Sequence, residues 1–155
     1  MEVDFETFLK VIPYVIGGDD PSKNYPVMIR GRHGIGKSQL VYQLASGELD
    51  LGIEIPALVH VNLADPKTHE EAKGALVVER RASQMTEGDL MGLPRLNEGM
   101  TSWNPPDWVK LACERPVFLF MDELDSACFE VKCGFFELGD SRKLNGHTLH
   151  PPTRS

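Results

Sequence analysis

Apolar residues recur along the chain in two rhythms, and the alternation of those rhythms predicts the architecture. Phe5, Phe8, Leu9 and Ile12 fall at helical spacing, which predicts a first helix over residues 3–16, with Pro13 working against its last turn. GGDDPSKNYP, residues 17–26, is dense in turn formers and reads as a loop. VMIRG, residues 27–31, predicts a brief buried strand, and in KSQLVYQLASGEL, residues 37–49, Leu40, Val41 and Leu44 share one side of a helix. IPALVHVNLAD (55–65) and GALVVERRAS (74–83) are strand-like and are separated by the charged linker PKTHEEAK. Residues 85–108 are rich in Gly and Pro and carry both Trp residues, which predicts an ordered loop region. PVFLFMDELD (116–125) predicts a buried strand with acids at its carboxyl end, and FEVKCGFFELGDSRKL (129–144) a helix. Strands alternating with helices argue for an α/β fold on a mostly parallel sheet.

Composition leaves that picture intact. The 155 residues are 41% hydrophobic and 25% charged, ordinary for a globular chain and enough for one domain with a real core. A formal net charge of -7 argues against a broadly basic face, so direct nucleic-acid binding is not expected. The opening MEVDFETFLK carries acids where a secretion signal carries Lys or Arg before an apolar run. The longest strongly apolar run, PVFLFM, is far short of the roughly 20 residues of a membrane-spanning helix. Three cysteines form no evident disulfide framework, and a cytoplasmic location is the expectation.

Chemistry enters at VMIRGRHGIGKSQL, residues 27–40. Gly31, Gly36, Lys37 and Ser38 satisfy G-x-x-x-x-G-K-[ST], between a predicted strand and a predicted helix. Glycines permit the tight turn and let backbone N–H groups approach phosphate oxygens, while the following helix offers its positive end to the same anion. Lys37 is placed to reach the β- and γ-phosphates and the Ser38 hydroxyl to sit on Mg²⁺. The loop expected to line the nucleotide comprises Gly31, Arg32, His33, Gly34, Ile35, Gly36, Lys37, Ser38 and Gln39. Arg32 and His33 stand where many such loops have small residues or prolines, and solvent-facing side chains are their simplest reading.

A second half matches the first. VFLFMDE, residues 117–123, is a hydrophobic strand ending in two carboxylates. Asp122 is placed to hold Mg²⁺, directly or through water, and Glu123 to polarise an attacking water. A small-molecule kinase has no need of Glu123 beside the metal carboxylate. A GTPase is suggested by DLMG, residues 89–92, but no apolar strand precedes it and no N-K-x-D guanine reader is present. ATP hydrolysis is the better reading. Nucleotide binding without turnover is the alternative from another class, with a P-loop kinase or GTPase behind it.

With both halves in place, residues 25 to 155, except 50–76, resemble the MoxR branch of the AAA+ ATPases. GDLMGLP (88–94) resembles that family's D-L-x-G-x-P segment, GMTSWNPPDW (99–108) its G-x-x-x-W-x-P-P-x-W/F element, and DSRKLNGHTLHP (140–151) its D-R-R-L-x-G hairpin region. The resemblance implies a three-layer αβα P-loop NTPase core with Walker A at 31–38 and Walker B at 117–123. It also implies ATP and Mg²⁺ as ligands, with Lys37 and Glu123 catalytic and Ser38 and Asp122 serving the metal. The complete protein is expected to be a homo-oligomeric ring, usually hexameric, that remodels client proteins, often beside a von Willebrand factor A domain partner. Asp125 and Ser126 depart from the family's Asn-Arg after D-E-h. The family's sensor-1 strand, arginine finger and helical lid follow the His-Pro region and are not found in this sequence, so residues 1–155 read as a partial AAA+ core. The sensor-1 strand would lie between the VMIRG and VFLFMDE strands, which must otherwise pair directly or borrow a strand.

Other constellations are weaker. Cys128, Cys133, His147 and His150 approach zinc-finger spacing, yet two helical residues five apart lie about 140° apart around the axis, so thiols without metal are the expectation. Trp103 and Trp108, with Pro105 and Pro106, read equally as a packing plug or a partner-facing loop. TEGDLMGLP can also be a short helix stopped before Pro94, and ERR, residues 79–81, an exposed strand face.

Overall fold

The computed structural model describes residues 4–16, 26–32, 34–46, 59–60, 76–115 and 117–151. Helix α1 spans Phe5–Ile16. Asp4 caps it: its carboxylate accepts the Thr7 N–H at 2.7 Å and its carbonyl the Phe8 N–H at 2.9 Å. The helix runs on through Pro13 to Ile16, although proline withdraws one hydrogen bond from it. Helix α2, Lys37–Ser46, follows the glycine-rich loop.

The central sheet is small and parallel, in the order β1 (Val59–His60), β2 (Leu76–Arg81), β5 (Val117–Asp122). β2 and β5 pair in register from Leu76 beside Val117 to Arg81 beside Asp122. Alternate side chains of these strands enter two separate cores. Leu76, Val78, Val117 and Leu119 join the larger one with α4 (Asp107–Glu114) and α5 (Phe129–Ser141), whereas Phe118 joins Phe8, Leu9, Ile12 and Leu40 of α1 and α2. Helices therefore cover both faces, as a parallel sheet requires.

Residues 27–30 differ from expectation. They join none of the three sheets, although Val27 and Ile29 pack into the smaller core. A strand is a paired state, and apolar alternation alone buries side chains without satisfying a backbone ladder. Of the strand-like run 55–65 only Val59–His60 lies within the described residues.

Residues 85–108 differ in part: TEGDLMGLP forms the short helix of its alternative reading, and the rest of the expected loop region is built from regular elements. Thr86 and Asp89 form a reciprocal capping box that starts α3, Glu87–Met91, and Gly92 ends it. β3 (Leu93–Asn97) and β4 (Met100–Asn104) then make an antiparallel hairpin. Its turn residues Glu98 and Gly99 both have positive φ, 44° and 84°, the geometry that matches the twist of the flanking strands. β6 (Lys143–Leu144) and β7 (His147–Thr148) close the same way around Asn145 and Gly146.

Trp108 resolves the two readings of the tryptophans. It is fully buried against Phe135, and its indole N–H donates to the Asp89 carbonyl at 3.0 Å, so it plugs the core beneath α3. Trp103 stands exposed on the hairpin. Gly134 on α5 lets Leu90 pack against that helix: a Cβ there would lie 2.1 Å from Leu90 Cδ2.

Candidate nucleotide-binding site

The loop before α2 turns where Gly34 and Gly36 take φ of 77° and 92°, values that a side chain would oppose. The Leu40 N–H bonds the Gly36 carbonyl at 2.9 Å, fixing the loop to the first turn of the helix. Lys37 leans back over the loop, its ammonium donating to the carbonyls of Gly31 at 2.7 Å and Arg32 at 3.2 Å. An ammonium has three donors, so one remains for an anion seated in the loop. Arg32, Ile35 and Gln39 are exposed. His33 lies outside the described residues.

The two halves of the site meet. Ser38 Oγ donates to Asp122 Oδ2 at 3.2 Å, across 84 positions of sequence. The other Asp122 oxygen accepts the N–H of Glu123 at 2.9 Å, which fixes the carboxylate plane. Adjacent oxygens around an octahedral Mg²⁺ lie about 3.0 Å apart, given bonds of about 2.1 Å. The Ser38–Asp122 pair fits one edge of such a shell, and Mg²⁺ takes most of its remaining ligands from water and phosphate. Among the described residues, no three His, Cys, Asp or Glu side chains converge on a metal position.

Glu123 turns out of β5 in the left-handed conformation, φ 56° and ψ 34°. For a residue with a Cβ this costs on the order of 1–2 kcal/mol, and here it swings the side chain off the strand line. The Glu123 carboxylate accepts a hydrogen bond from the Ser83 hydroxyl. Ser83 sits in a short 3₁₀ turn, Ala82–Gln84, directly after β2. Sequence reading missed it because no local pattern marks it; only the β2–β5 register, which sets Arg81 beside Asp122, brings the turn to Glu123. On β2, the buried Nε of Arg80 has no hydrogen-bond partner among the described residues. Asp89 is held below the ordinary carboxylate range chiefly by the Thr86 N–H and hydroxyl, against a small opposing effect of burial and with a lesser contribution from Arg80.

Cys128 is the residue before α5 and Cys133 lies within it, both exposed. No helix among the described residues is long and apolar enough to cross a membrane. No family model, curated protein or solved structure matches the chain.

Proposed function

We propose that the chain is a Mg-ATP-binding P-loop NTPase core of the MoxR-like AAA+ kind, in which residues 31–39 cradle the phosphates. The observation that carries the reading is the 3.2 Å contact between Ser38 and Asp122. Two motifs that imply a shared Mg²⁺ meet at a separation the ion can span. Lys37 supplies a cation at the loop. Mg²⁺, once bound, neutralises charge on the phosphate oxygens. Glu123, next along the chain from Asp122, is the group to take a proton from water.

Further along the same reading, the protein assembles as a ring, remodels client proteins in the cytoplasm, and works beside a von Willebrand factor A domain partner. These steps rest on motif resemblance in residues 88–94, 99–108 and 140–151. The hairpin geometry of 93–104 and 143–148 is compatible with them.

A second reading, nucleotide binding with little turnover, is favoured by the Ser83 hydroxyl on Glu123. The lone pair that accepts the Ser83 hydroxyl is not open to an attacking water.

Calorimetric titration with Mg-ATP, wild type against Lys37→Ala, tests binding; saturable heat lost in the variant is the expected result. Absence of binding by folded wild-type protein refutes both readings. Steady-state hydrolysis with Glu123→Gln separates them: turnover abolished by the change with binding kept supports the ATPase, and no wild-type turnover supports the binding module.

A further inference from the structure

Two strands end at the site, and each brings its last residue to it. β2 ends at Arg81 and β5 at Asp122, and the ladder sets these two side by side. Partners in a ladder point their side chains to the same face of the sheet, on strands about 4.8 Å apart. Phe118, on the same face as Asp122, packs with α1 and α2, and Asp122 itself meets Ser38 of α2. Arg81 therefore stands on the face that carries the proposed Mg²⁺ edge. It is also at the carboxyl ends of the strands, where open α/β sheets bind their ligands.

The charge of Arg81 is uncommitted. The residue is exposed and makes no ion pair among the described residues. Asp122 does not hold it, its two oxygens being engaged by the Ser38 hydroxyl and the Glu123 N–H. Position along the site says which phosphate such a cation meets. Ser83, two residues after Arg81, bonds Glu123, the group assigned to the attacking water. Water attacks the terminal phosphorus in line with the bond that breaks, so the groups around Glu123 border the γ-phosphoryl group, whereas residues 31–39 cradle the phosphates behind it. A guanidinium there can offer two parallel N–H bonds to phosphate oxygens.

We propose that Arg81 reads the terminal phosphate: its guanidinium bonds the γ-phosphoryl oxygens and adds affinity for a nucleoside triphosphate that the diphosphate does not receive. The inference rests on the Mg-ATP reading above and adds to it a residue that determines specificity.

Calorimetric titration of the full chain tests this, with the non-hydrolysable triphosphate AMP-PNP and with ADP, each in the presence of Mg²⁺. The proteins compared are wild type, Arg81→Ala, Arg81→Lys and Arg95→Ala, the last removing the same charge from the β3–β4 hairpin instead. Arg81→Ala is expected to weaken AMP-PNP binding about tenfold or more and to leave ADP binding unchanged. Arg81→Lys, which keeps the charge but not the paired donors, should fall between. It carries the same comparison if the alanine variant does not fold. Arg95→Ala should match wild type with both nucleotides. Equal losses for AMP-PNP and ADP in the Arg81 variants overturn the proposal, because the effect is then one of general charge or structure. Unchanged AMP-PNP affinity overturns it too, and in both cases wild-type binding leaves the Mg-ATP reading standing. Folded wild type that binds neither nucleotide overturns that reading and this inference with it.

Discussion

Ser83 donates its hydroxyl to the carboxylate of Glu123, joining the turn after β2 to the end of β5. The hydrogen bond aims the carboxylate and occupies a lone pair that an approaching water would otherwise meet. Ser83→Ala removes the donor without touching the phosphate loop, and hydrogen bonds to charged groups contribute roughly 1.5–3 kcal/mol. Under the proposed ATPase reading, turnover of ATP is expected to rise about tenfold in this variant, with KM unchanged within about twofold. Ser83→Thr keeps the hydroxyl and is expected to behave as wild type. A fall in kcat in Ser83→Ala means instead that the serine positions Glu123 productively.

The Ser38–Asp122 pair makes a separate prediction about the metal. Ser38→Ala and Asp122→Asn each remove part of the proposed Mg²⁺ edge while leaving Lys37 and the loop backbone in place. Nucleotide affinity in the presence of Mg²⁺ is expected to fall about tenfold to a hundredfold. With EDTA present, wild type and variants should bind alike. Equal losses with and without Mg²⁺, read by calorimetry, assign the two residues a structural role only.

What the sequence made legible was local chemistry. The glycine-rich loop and the strand ending in Asp122 could be placed because positive-φ glycines, the Lys-Ser pair and a continuous apolar run carry their signals within a few residues. Ser83 could not be found that way, because its role depends on which strand lies beside β5 and in what register. The hairpin hid for a different reason. Leu93, Leu96, Met100 and Trp103 do not alternate, since neither face of the ribbon meets the core and nothing imposes period two. Residues 27–30 misled in the opposite direction: their alternation half-buries Val27 and Ile29, yet the segment enters no ladder.

Two hairpin glycines separate strain from collision. Gly92 and Gly99 share a φ of 84°, but a Cβ at Gly92 would lie 1.9 Å from the Asn104 carbonyl oxygen, whereas nothing lies within 4 Å at Gly99. Gly99→Ala therefore costs only left-handed strain, about 1 kcal/mol. Gly92→Ala adds a backbone clash at the base of the hairpin and should cost about 3 kcal/mol or more. Urea melts of the two variants are the measurement. Similar midpoints would show that the base of the hairpin yields to accommodate the methyl group.

The capping box at α3 gives the chain an acid-sensitive joint. Asp89 accepts from the Thr86 N–H at 2.9 Å and the Thr86 hydroxyl at 2.7 Å, and these bonds favour its charged form, lowering its pKa from 3.8. A carboxyl whose folded pKa is depressed contributes stability that is fully present above the unfolded value and is lost as pH falls through the folded one. The joint matters beyond α3, because the Asp89 carbonyl holds the Trp108 indole and the neighbouring Leu90 packs on Gly134. Lowering the pH from 5 towards 3 is therefore expected to lower Tm in wild type. Asp89→Asn, which cannot titrate, starts from a lower Tm and should show a shallower slope over the same window. Thermal melts followed by Trp108 fluorescence, in the Trp103→Phe background, read both quantities at the joint. Parallel slopes for the two proteins would place the acid sensitivity in other carboxylates, with Asp4, whose pKa is lowered chiefly by the Thr7 N–H, the next to substitute.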